Sequence, residues 1–418
     1  MSTATLEAAS LTHEEKLNRL AEVAIRVGLG LKRGQELVMT ATLDTLPLVR
    51  RITEHAYRNG ATLVTTLLTD EESTLLRYQY GDNESFDHAA AWLYDGMAAA
   101  YKSGAARLAV AGGNPGLLSQ QDPEKVGRAN SAVSKAYRPA LELITRHDIN
   151  WTIVAAATPA WAATVFPNLP ADQALAKLWG AIFAASRCDL ADPIAAWREH
   201  DAGLHRRADL MNQKRYSALH FHAIGTDLRV GLADDHLWLG GGMHAQNGQY
   251  CIPNMPTEEV FTTPHKDRTE GHVTSTKPLS YQGTMIEGIR VRFEGGRVVE
   301  AKATKGEEVL NRMISTDEGA RKLGEVALVP HSSPIASSGL LFNNTLFDEN
   351  AASHIALGQA YSSCLKNGDK LTPEQLAKLG ANDSLIHVDW MIGSGQMNVD
   401  GITADGKIDP LMRQGEWV

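Results

Sequence analysis

A short strand-like motif near the C-terminus has the residue types of a metal site. In Ile386–Trp390, which reads IHVDW, an extended chain points His387 and Asp389 to one side and Val388 and Trp390 to the other. An imidazole beside a carboxylate suits a borderline divalent cation such as Zn²⁺, Co²⁺ or Mn²⁺. A lone tripeptide of this kind is more often a partly exposed strand, so it predicts a metal site only together with further ligands.

Three other segments of the C-terminal half place acids or an imidazole beside rigid or apolar residues: 254–264 (NMPTEEVFTTP), 323–329 (LGEVALV) and 344–361 (NTLFDENAASHIALGQAY). The prolines around Glu258 and Glu259 favour a stiffened loop or an edge strand. Glu325 precedes an apolar run, where a buried carboxylate is costly unless it is paired or bound to a metal. Alternatively, these acids lie on solvated turns or strand ends, and His354 is an ordinary histidine of a helix with an acidic first turn.

Combined, the four segments supply three carboxylates and two imidazoles: Glu259, Glu325, His354, His387 and Asp389. Such a set could hold two divalent ions with a bridging oxygen ligand and positions left for water. A carboxylate such as Glu325 or Asp389 can span two ions, whereas an imidazole generally does not. The residue types leave open which carboxylate bridges.

In this order, the four segments resemble the signature segments of the aminopeptidase T family of metallo-aminopeptidases, which includes the AmpS and PepS enzymes. The resemblance covers the C-terminal half and, more loosely, the N-terminal half, where residues 33–38 (RGQELV) resemble the opening strand of the family. It implies two divalent metal ions per subunit (Zn, Co or Mn), held by the five ligands above. Tyr361 matches the tyrosine that lies near the metals in the family.

The resemblance implies removal of N-terminal residues from short peptides by a homodimer that encloses its active site. We expect Tyr361 to donate a hydrogen bond to the developing oxyanion, and Glu258 to shuttle a proton to the leaving amine, with Glu349 as the alternative. Two other functions stay open: a small-ligand binding protein with a structural metal, and a dinuclear hydrolase of a non-peptide bond.

These ligands need a scaffold, and the first half predicts an α/β domain with a mostly parallel sheet and flanking helices. Thr12 and Glu15 form a capping box before a helix. The first βαβ unit is then predicted from a strand at 36–40, a helix at 46–59 and a strand at 61–68, and two further strands are predicted at 107–111 and 151–155.

The second half is predicted to be α+β, strand-rich and metal-binding. A charged helical stretch from Pro193 to Tyr216 separates the halves, so we place the domains at residues 1–215 and 216–418. Antiparallel strands are predicted at 219–223 and 228–231, and at 288–293 and 297–301 around the glycine pair 295–296. His220 and His222 form an HxH motif on the first of these strands, but no acid cluster is linked to them in the sequence, so we expect ordinary surface or core histidines.

Composition sets the broad class. The 418 residues carry 40 Lys+Arg and 49 Asp+Glu, a net charge of −9, which disfavours nucleic acid as a partner. The three cysteines are far apart, so a disulfide framework is not expected. Neither a signal peptide nor a membrane span is predicted, and the protein is expected to be cytoplasmic.

Overall fold

The computed structural model describes residues 11–281 and 284–418, which form two compact units. The first unit comprises Met1–His200 and Gly242–Pro256, and the second comprises Asp201–Gly241 and Thr257–Val418, in each case as far as they are described. The domain boundary at residue 215 stays a prediction. Residues 1–10, where the sequence predicts no signal peptide, lie outside the described residues.

The helices are α1 (His13–Val23), α2 (Leu46–Arg58), α3 (Glu71–Tyr80), α4 (Ala91–Lys102), α5 (Pro123–Thr145), α6 (Pro159–Val165), α7 (Ala171–Ala185), α8 (Pro193–Lys214), α9 (Glu307–Met313), α10 (Pro334–Ser338), α11 (Thr345–Asp348) and α12 (Pro373–Lys378). The strands are β1 (Leu37–Thr42), β2 (Val64–Thr69), β3 (Ala106–Ala111), β4 (Trp151–Ala155), β5 (Ala218–Ala223), β6 (Thr226–Leu232), β7 (Met243–His244), β8 (Tyr250–Cys251), β9 (Val260–Thr262), β10 (Pro264–Thr274), β11 (Leu279–Tyr281), β12 (Thr284–Ile286), β13 (Arg290–Glu294), β14 (Arg297–Lys302), β15 (Leu323–Leu328), β16 (His354–Gly358), β17 (His387–Met391), β18 (Asn398–Ile402), β19 (Ile408–Arg413) and β20 (Glu416–Trp417).

The first unit is built on a four-stranded parallel sheet in the order β2-β1-β3-β4. Thr12 caps α1 through the predicted capping box, and α2 begins at Leu46 as expected. The predicted α/β arrangement is therefore confirmed. Among the described helices, none combines the length and the apolar character that a membrane crossing would need.

The second unit contains two larger antiparallel sheets. One has eight strands in the order β14-β13-β10-β6-β5-β18-β19-β20, and the other has four in the order β17-β16-β15-β9. The strand-rich character predicted for this half is confirmed, including the β13–β14 hairpin around Gly295 and Gly296.

One hydrophobic core connects the two sheets of the second unit. It receives Leu219, Phe221 and Val230 from the eight-stranded sheet and Val326, Ile355 and Trp390 from the four-stranded sheet, among other buried residues. Because side chains alternate along a strand, their sequence neighbours point to the outer face of each sheet. These two outer faces carry the polar residues considered below.

Candidate metal centre

Three neighbouring strands of the four-stranded sheet bring the predicted ligands together. Glu325 lies on β15, His354 begins β16, and His387 and Asp389 lie on β17, all on the face opposite the hydrophobic core. Glu259 immediately precedes β9, the fourth strand. The structure therefore does not match the alternative reading of these positions, in which the acids lie on strand ends or turns and His354 lies in a helix.

A glycine allows the strands to approach at this site. Gly358 pairs with His387 across β16 and β17 and has a φ of +110°. A Cβ atom at this position would lie 2.0 Å from the carbonyl oxygen of Ile386. Only glycine accommodates both the positive φ and this close contact, which accounts for the residue after His354-Ile-Ala-Leu in the sequence motif.

Glu325 lies between the two histidines. Its Oε1 atom is 3.7 Å from Nε2 of His354, and its Oε2 atom is 3.4 Å from Nε2 of His387. His354 Nε2 is also 3.1 Å from Glu259 Oε2, and His387 Nε2 is 3.4 Å from Asp389 Oδ1. The five side chains thus form two groups of three that share Glu325, and in each group the potential ligand atoms lie within 4.8 Å of one another.

Backbone carbonyls orient both imidazole rings. His354 Nδ1 lies 3.0 Å from the carbonyl oxygen of Ala352, and His387 Nδ1 lies 2.7 Å from that of Gln359. With Nδ1–H donated to a carbonyl, Nε2 carries the lone pair that a metal requires. This is the usual outer-shell arrangement of metal-binding histidines.

Several polar atoms of the cluster are buried without a hydrogen bond of acceptable geometry within the described residues. They are Glu259 Oε2, His387 Nε2 and Asp389 Oδ1. Leaving a buried polar group unsatisfied costs about 1–3 kcal/mol, and more if it is charged. Divalent cations would satisfy all three of these atoms, so the residues present are suited to binding metal.

The charge balance also favours cations. Burial raises the pKa of Glu259, with a further contribution from Glu325 and Asp389. Burial alone would lower the pKa of His387, but Asp389 and Glu325 outweigh it and raise the pKa to about 11. The pKa of His354 is raised well above its ordinary value for the same reason, through Glu259 and Glu325. Without metal ions, protons on the imidazoles compensate the buried carboxylates.

Two further groups line the cluster. The ring of Tyr361 lies 4.7 Å from that of His387, and burial together with Glu325 and Asp389 raises the pKa of its hydroxyl. Glu349 is half-buried, and desolvation of its carboxyl group together with the Glu259 and Asp389 carboxylates raises its pKa well above the ordinary value.

Glu258 is buried as well. Its backbone N–H donates a 2.7 Å hydrogen bond to Asn350 Oδ1, and its carboxylate acts on the pKa of Arg207 on α8. Glu349 and Glu258 are thus both close enough to the cluster in sequence and in space to be considered for proton transfer.

Comparison with known proteins identifies the family. The model of the family described as thermophilic metalloprotease (M29) matches residues 13–417. The chain belongs to this family. It is 54% identical over 405 residues to aminopeptidase T of Thermus thermophilus, covering 97% of this chain and 99% of that protein. It is 44% identical over 403 residues to aminopeptidase AmpS of Bacillus subtilis, covering 96% and 98% of the two chains.

A solved structure of wild-type AmpT from Thermus thermophilus superimposes with a TM-score of 0.93 at 53% identity, covering 97% of this chain and all of that one. The family resemblance stated from the sequence is confirmed. As a member of this metalloprotease family, the chain is a metal-dependent peptidase. The cluster described here is its candidate metal centre.

The sequence did not indicate the carbonyls that hold the histidine rings. Ala352 and Gln359 act through their backbone, so their residue types carry no signal of this role. The signal lies only in their spacing from His354 and in the pairing of β16 with β17, which requires the fold.

Proposed function

We propose that the protein is a metallo-aminopeptidase that removes N-terminal residues from short peptides, using two divalent ions (Zn²⁺, Co²⁺ or Mn²⁺). The observation that carries this proposal is the position of Glu325, with one carboxylate oxygen facing each histidine. The family relatives named as aminopeptidases support the reaction type.

In this proposal, Glu259, His354 and Glu325 would hold one ion, and Glu325, His387 and Asp389 would hold the other. Glu325 would therefore be shared by both ions. When bound, divalent ions lower the pKa of a water molecule and polarise the scissile carbonyl. The protein holds the ligands rigid on paired strands and keeps the two imidazole rings oriented through Ala352 and Gln359.

Tyr361 is proposed to donate a hydrogen bond to the oxygen that becomes negative as the peptide carbonyl is attacked. Its raised pKa keeps the hydroxyl protonated throughout the working range of pH, which a donor requires. Although the hydroxyl is desolvated, the residue as a whole is 45% exposed, so a substrate can reach it from solvent.

For proton transfer to the leaving amine we propose Glu349, with Glu258 as the other candidate. The raised pKa of Glu349 arises next to the ligand candidates Glu259 and Asp389, so it can hold a proton there at neutral pH. Glu349→Gln and Glu258→Gln form a matched pair. We expect kcat to fall roughly 10² to 10⁴-fold in the first and much less in the second, with metal content unchanged in both. The opposite order would assign the role to Glu258.

The central experiment compares three substrates before and after chelation: an aminoacyl p-nitroanilide, the same compound N-acetylated, and a p-nitrophenyl phosphoester. We expect hydrolysis of the free-amine anilide alone, its loss on chelation, and its return on adding Co²⁺ or Zn²⁺, with elemental analysis giving two ions per chain. Cleavage of the phosphoester would favour a non-peptide hydrolase. A folded protein that binds metal but hydrolyses nothing would favour a structural metal.

We also propose a homodimer in a reducing compartment such as the cytoplasm. The family resemblance supports the dimer, which size-exclusion chromatography with light scattering tests directly. The three cysteines are buried free thiols, which fits a reducing environment.

A further inference from the structure

The outer face of the eight-stranded sheet carries a second group of histidines and carboxylates. His220 and His222 lie on β5 and alternate with Leu219 and Phe221, which point into the core. Their side chains are 36% and 40% exposed. The core and the four-stranded sheet lie between this surface and the candidate metal centre, so the two sets of histidines are on opposite sides of the second unit.

Each of these histidines is held by a carboxylate of a different neighbouring strand. His220 Nε2 lies 2.7 Å from Oδ1 of Asp227 on β6, and His222 Nε2 lies 3.3 Å from Oδ2 of Asp400 on β18. The sequence did not connect these acids with the HxH motif, because one is 7 residues from its histidine and the other is 178 residues away. The two histidines lie at the surface, as one of the expected alternatives had it, and each has a carboxylate partner that only the structure reveals.

This arrangement resembles the outer shell of a metal site. A histidine that binds metal through one ring nitrogen almost always donates the other N–H to a carboxylate or a carbonyl. Here both Nε2 atoms are engaged by carboxylates, and no hydrogen bond to Nδ1 of His220 or His222 is found in the described part of the chain. Both rings thus present Nδ1 as the free ligand atom.

The spacing of the rings also suits one shared ion. Their centroids are 5.3 Å apart, with an angle of 34° between the ring planes. Two imidazoles bound to one tetrahedral ion, with metal–nitrogen distances of about 2.0 Å, have centroids about 5 Å apart. The separation of the two rings is therefore compatible with one shared ion.

We propose that His220 and His222 form a second metal site, which binds one borderline divalent ion of the Zn²⁺, Ni²⁺ or Cu²⁺ class through both imidazoles. Asp227 and Asp400 orient the rings, and water completes the coordination. The neighbouring side chains are mixed in charge: Arg229 lies opposite His220 on β6, and His272 lies opposite Asp227 on β10. His272 is near enough to Asp227 to influence the pKa of that carboxyl.

The test uses Cu²⁺, which binds nitrogen ligands most tightly among the first-row divalent ions and gives an electron paramagnetic resonance spectrum. The full-length protein is first saturated with Zn²⁺ or Co²⁺, so that the candidate metal centre is filled. Cu²⁺ is then added with the first metal kept in excess, and equilibrium dialysis with elemental analysis counts both metals, because Cu²⁺ that replaces Zn²⁺ or Co²⁺ at the candidate metal centre lowers their content. We expect one Cu²⁺ per chain at micromolar concentrations, with hyperfine structure from two nitrogens.

Three variants make the result specific. His220→Asn and His222→Asn should each weaken this binding at least tenfold and remove one nitrogen from the spectrum. His88→Asn, at an exposed histidine of the first unit, should change neither. Peptidase activity and circular dichroism are measured on every variant and should match the parent, which separates this site from the proposed function. Equal Cu²⁺ affinity in the parent and both β5 variants would overturn the proposal, as would binding only above about 100 μM.

Discussion

Each outer face of the second unit carries a pair of polar residues one residue apart on a strand, but the surroundings differ. On β17, the side chains of His387 and Asp389 are only 18% and 13% exposed. On β5, the side chains of His220 and His222 are 36% and 40% exposed. Strand alternation places each pair on one side of its sheet. The degree of burial then determines how strongly each pair requires a proton, a cation or another hydrogen-bonding group.

The pKa directions of the acids show this difference. On the exposed face, the hydrogen bond from His220 lowers the pKa of Asp227. On the buried face, His387 lowers the pKa of Asp389 against the opposing effect of burial, whereas burial outweighs His354 and raises the pKa of Glu259. Exposed carboxylates stay charged at little cost because water solvates them, whereas the buried set must bind protons or cations. We therefore expect mutations on the buried face to affect function strongly and those on the exposed face weakly.

Glu325→Gln should have the largest effect. The amide keeps the size of the side chain but removes the charge that faces both histidines, so we expect peptidase activity to fall at least 10³-fold and the metal content to fall below two ions per chain. Activity is measured with an aminoacyl p-nitroanilide and metal by elemental analysis.

The matched control for this substitution is Glu308→Gln, an exposed glutamate on α9. It should leave activity and metal content unchanged. Circular dichroism checks that both variants are folded. Full activity of a folded Glu325→Gln protein would contradict the ligand set.

Tyr361→Phe should have the next largest effect. Removing the hydroxyl takes away one donor to the developing oxyanion, which in other enzymes lowers kcat roughly 10² to 10³-fold. KM and metal content should change little, because the ring and its contact with His387 remain.

Tyr80→Phe, at a tyrosine with 75% exposure in the first unit, is the control and should behave as the parent. A change in KM with kcat unaffected would show that Tyr361 binds substrate in the ground state instead.

Much of the fold and the members of the metal-ligand cluster could be predicted from the sequence. Apolar runs and the capping box at Thr12 located the first helices and strands, and β4 was predicted with its observed bounds. Five ligand candidates from four separate segments converge because each lies on, or next to, a strand of one sheet. The order of the four motifs along the chain predicted that they form one site. The periodicity of the side chains alone was also compatible with an exposed strand, a turn or a helix at each segment.

Other features needed the structure because they depend on pairings distant in sequence. Asp400 reaches His222 only because β18 pairs with β5 across the eight-stranded sheet. The position of Glu325 between His354 and His387 similarly depends on the antiparallel register of β15, β16 and β17. Neither strand pairing can be recognised from the residues that surround it in the sequence.

Metal binding to the buried face should release protons. Because the pKa values of His354 and His387 are raised above 6.5, to about 11 for His387, both imidazoles are protonated at pH 7 in the metal-free protein. Nε2 must lose its proton to bind a cation, so we expect release of about two protons. For each proton released, the apparent metal affinity should rise about tenfold per pH unit.

Isothermal titration with Co²⁺ in buffers of different ionisation enthalpy measures this number. The experiment is best made in the His220→Asn/His222→Asn double variant, so that the exposed face contributes nothing. Binding without net proton release would mean that the imidazoles are neutral before metal arrives, and that burial, not the carboxylates, dominates their pKa values.

The smallest effect is expected on the exposed face in the absence of metal. His220→Asn removes the contact with Asp227, and exposed pairs of this kind contribute about 0–1 kcal/mol to the free energy of unfolding. The pKa of Asp227 is lowered in the folded state, so its contribution is present above the pKa of the unfolded chain and is lost as pH falls through the folded value. Urea unfolding of the metal-free parent and variant at pH 6 and pH 2.5 should therefore show a small difference in the free energy of unfolding that decreases at the lower pH.

A loss of several kcal/mol at pH 6 would contradict the comparison of the two faces. It would mean that the exposed histidines are as strongly coupled to the fold as the candidate ligands of the metal centre.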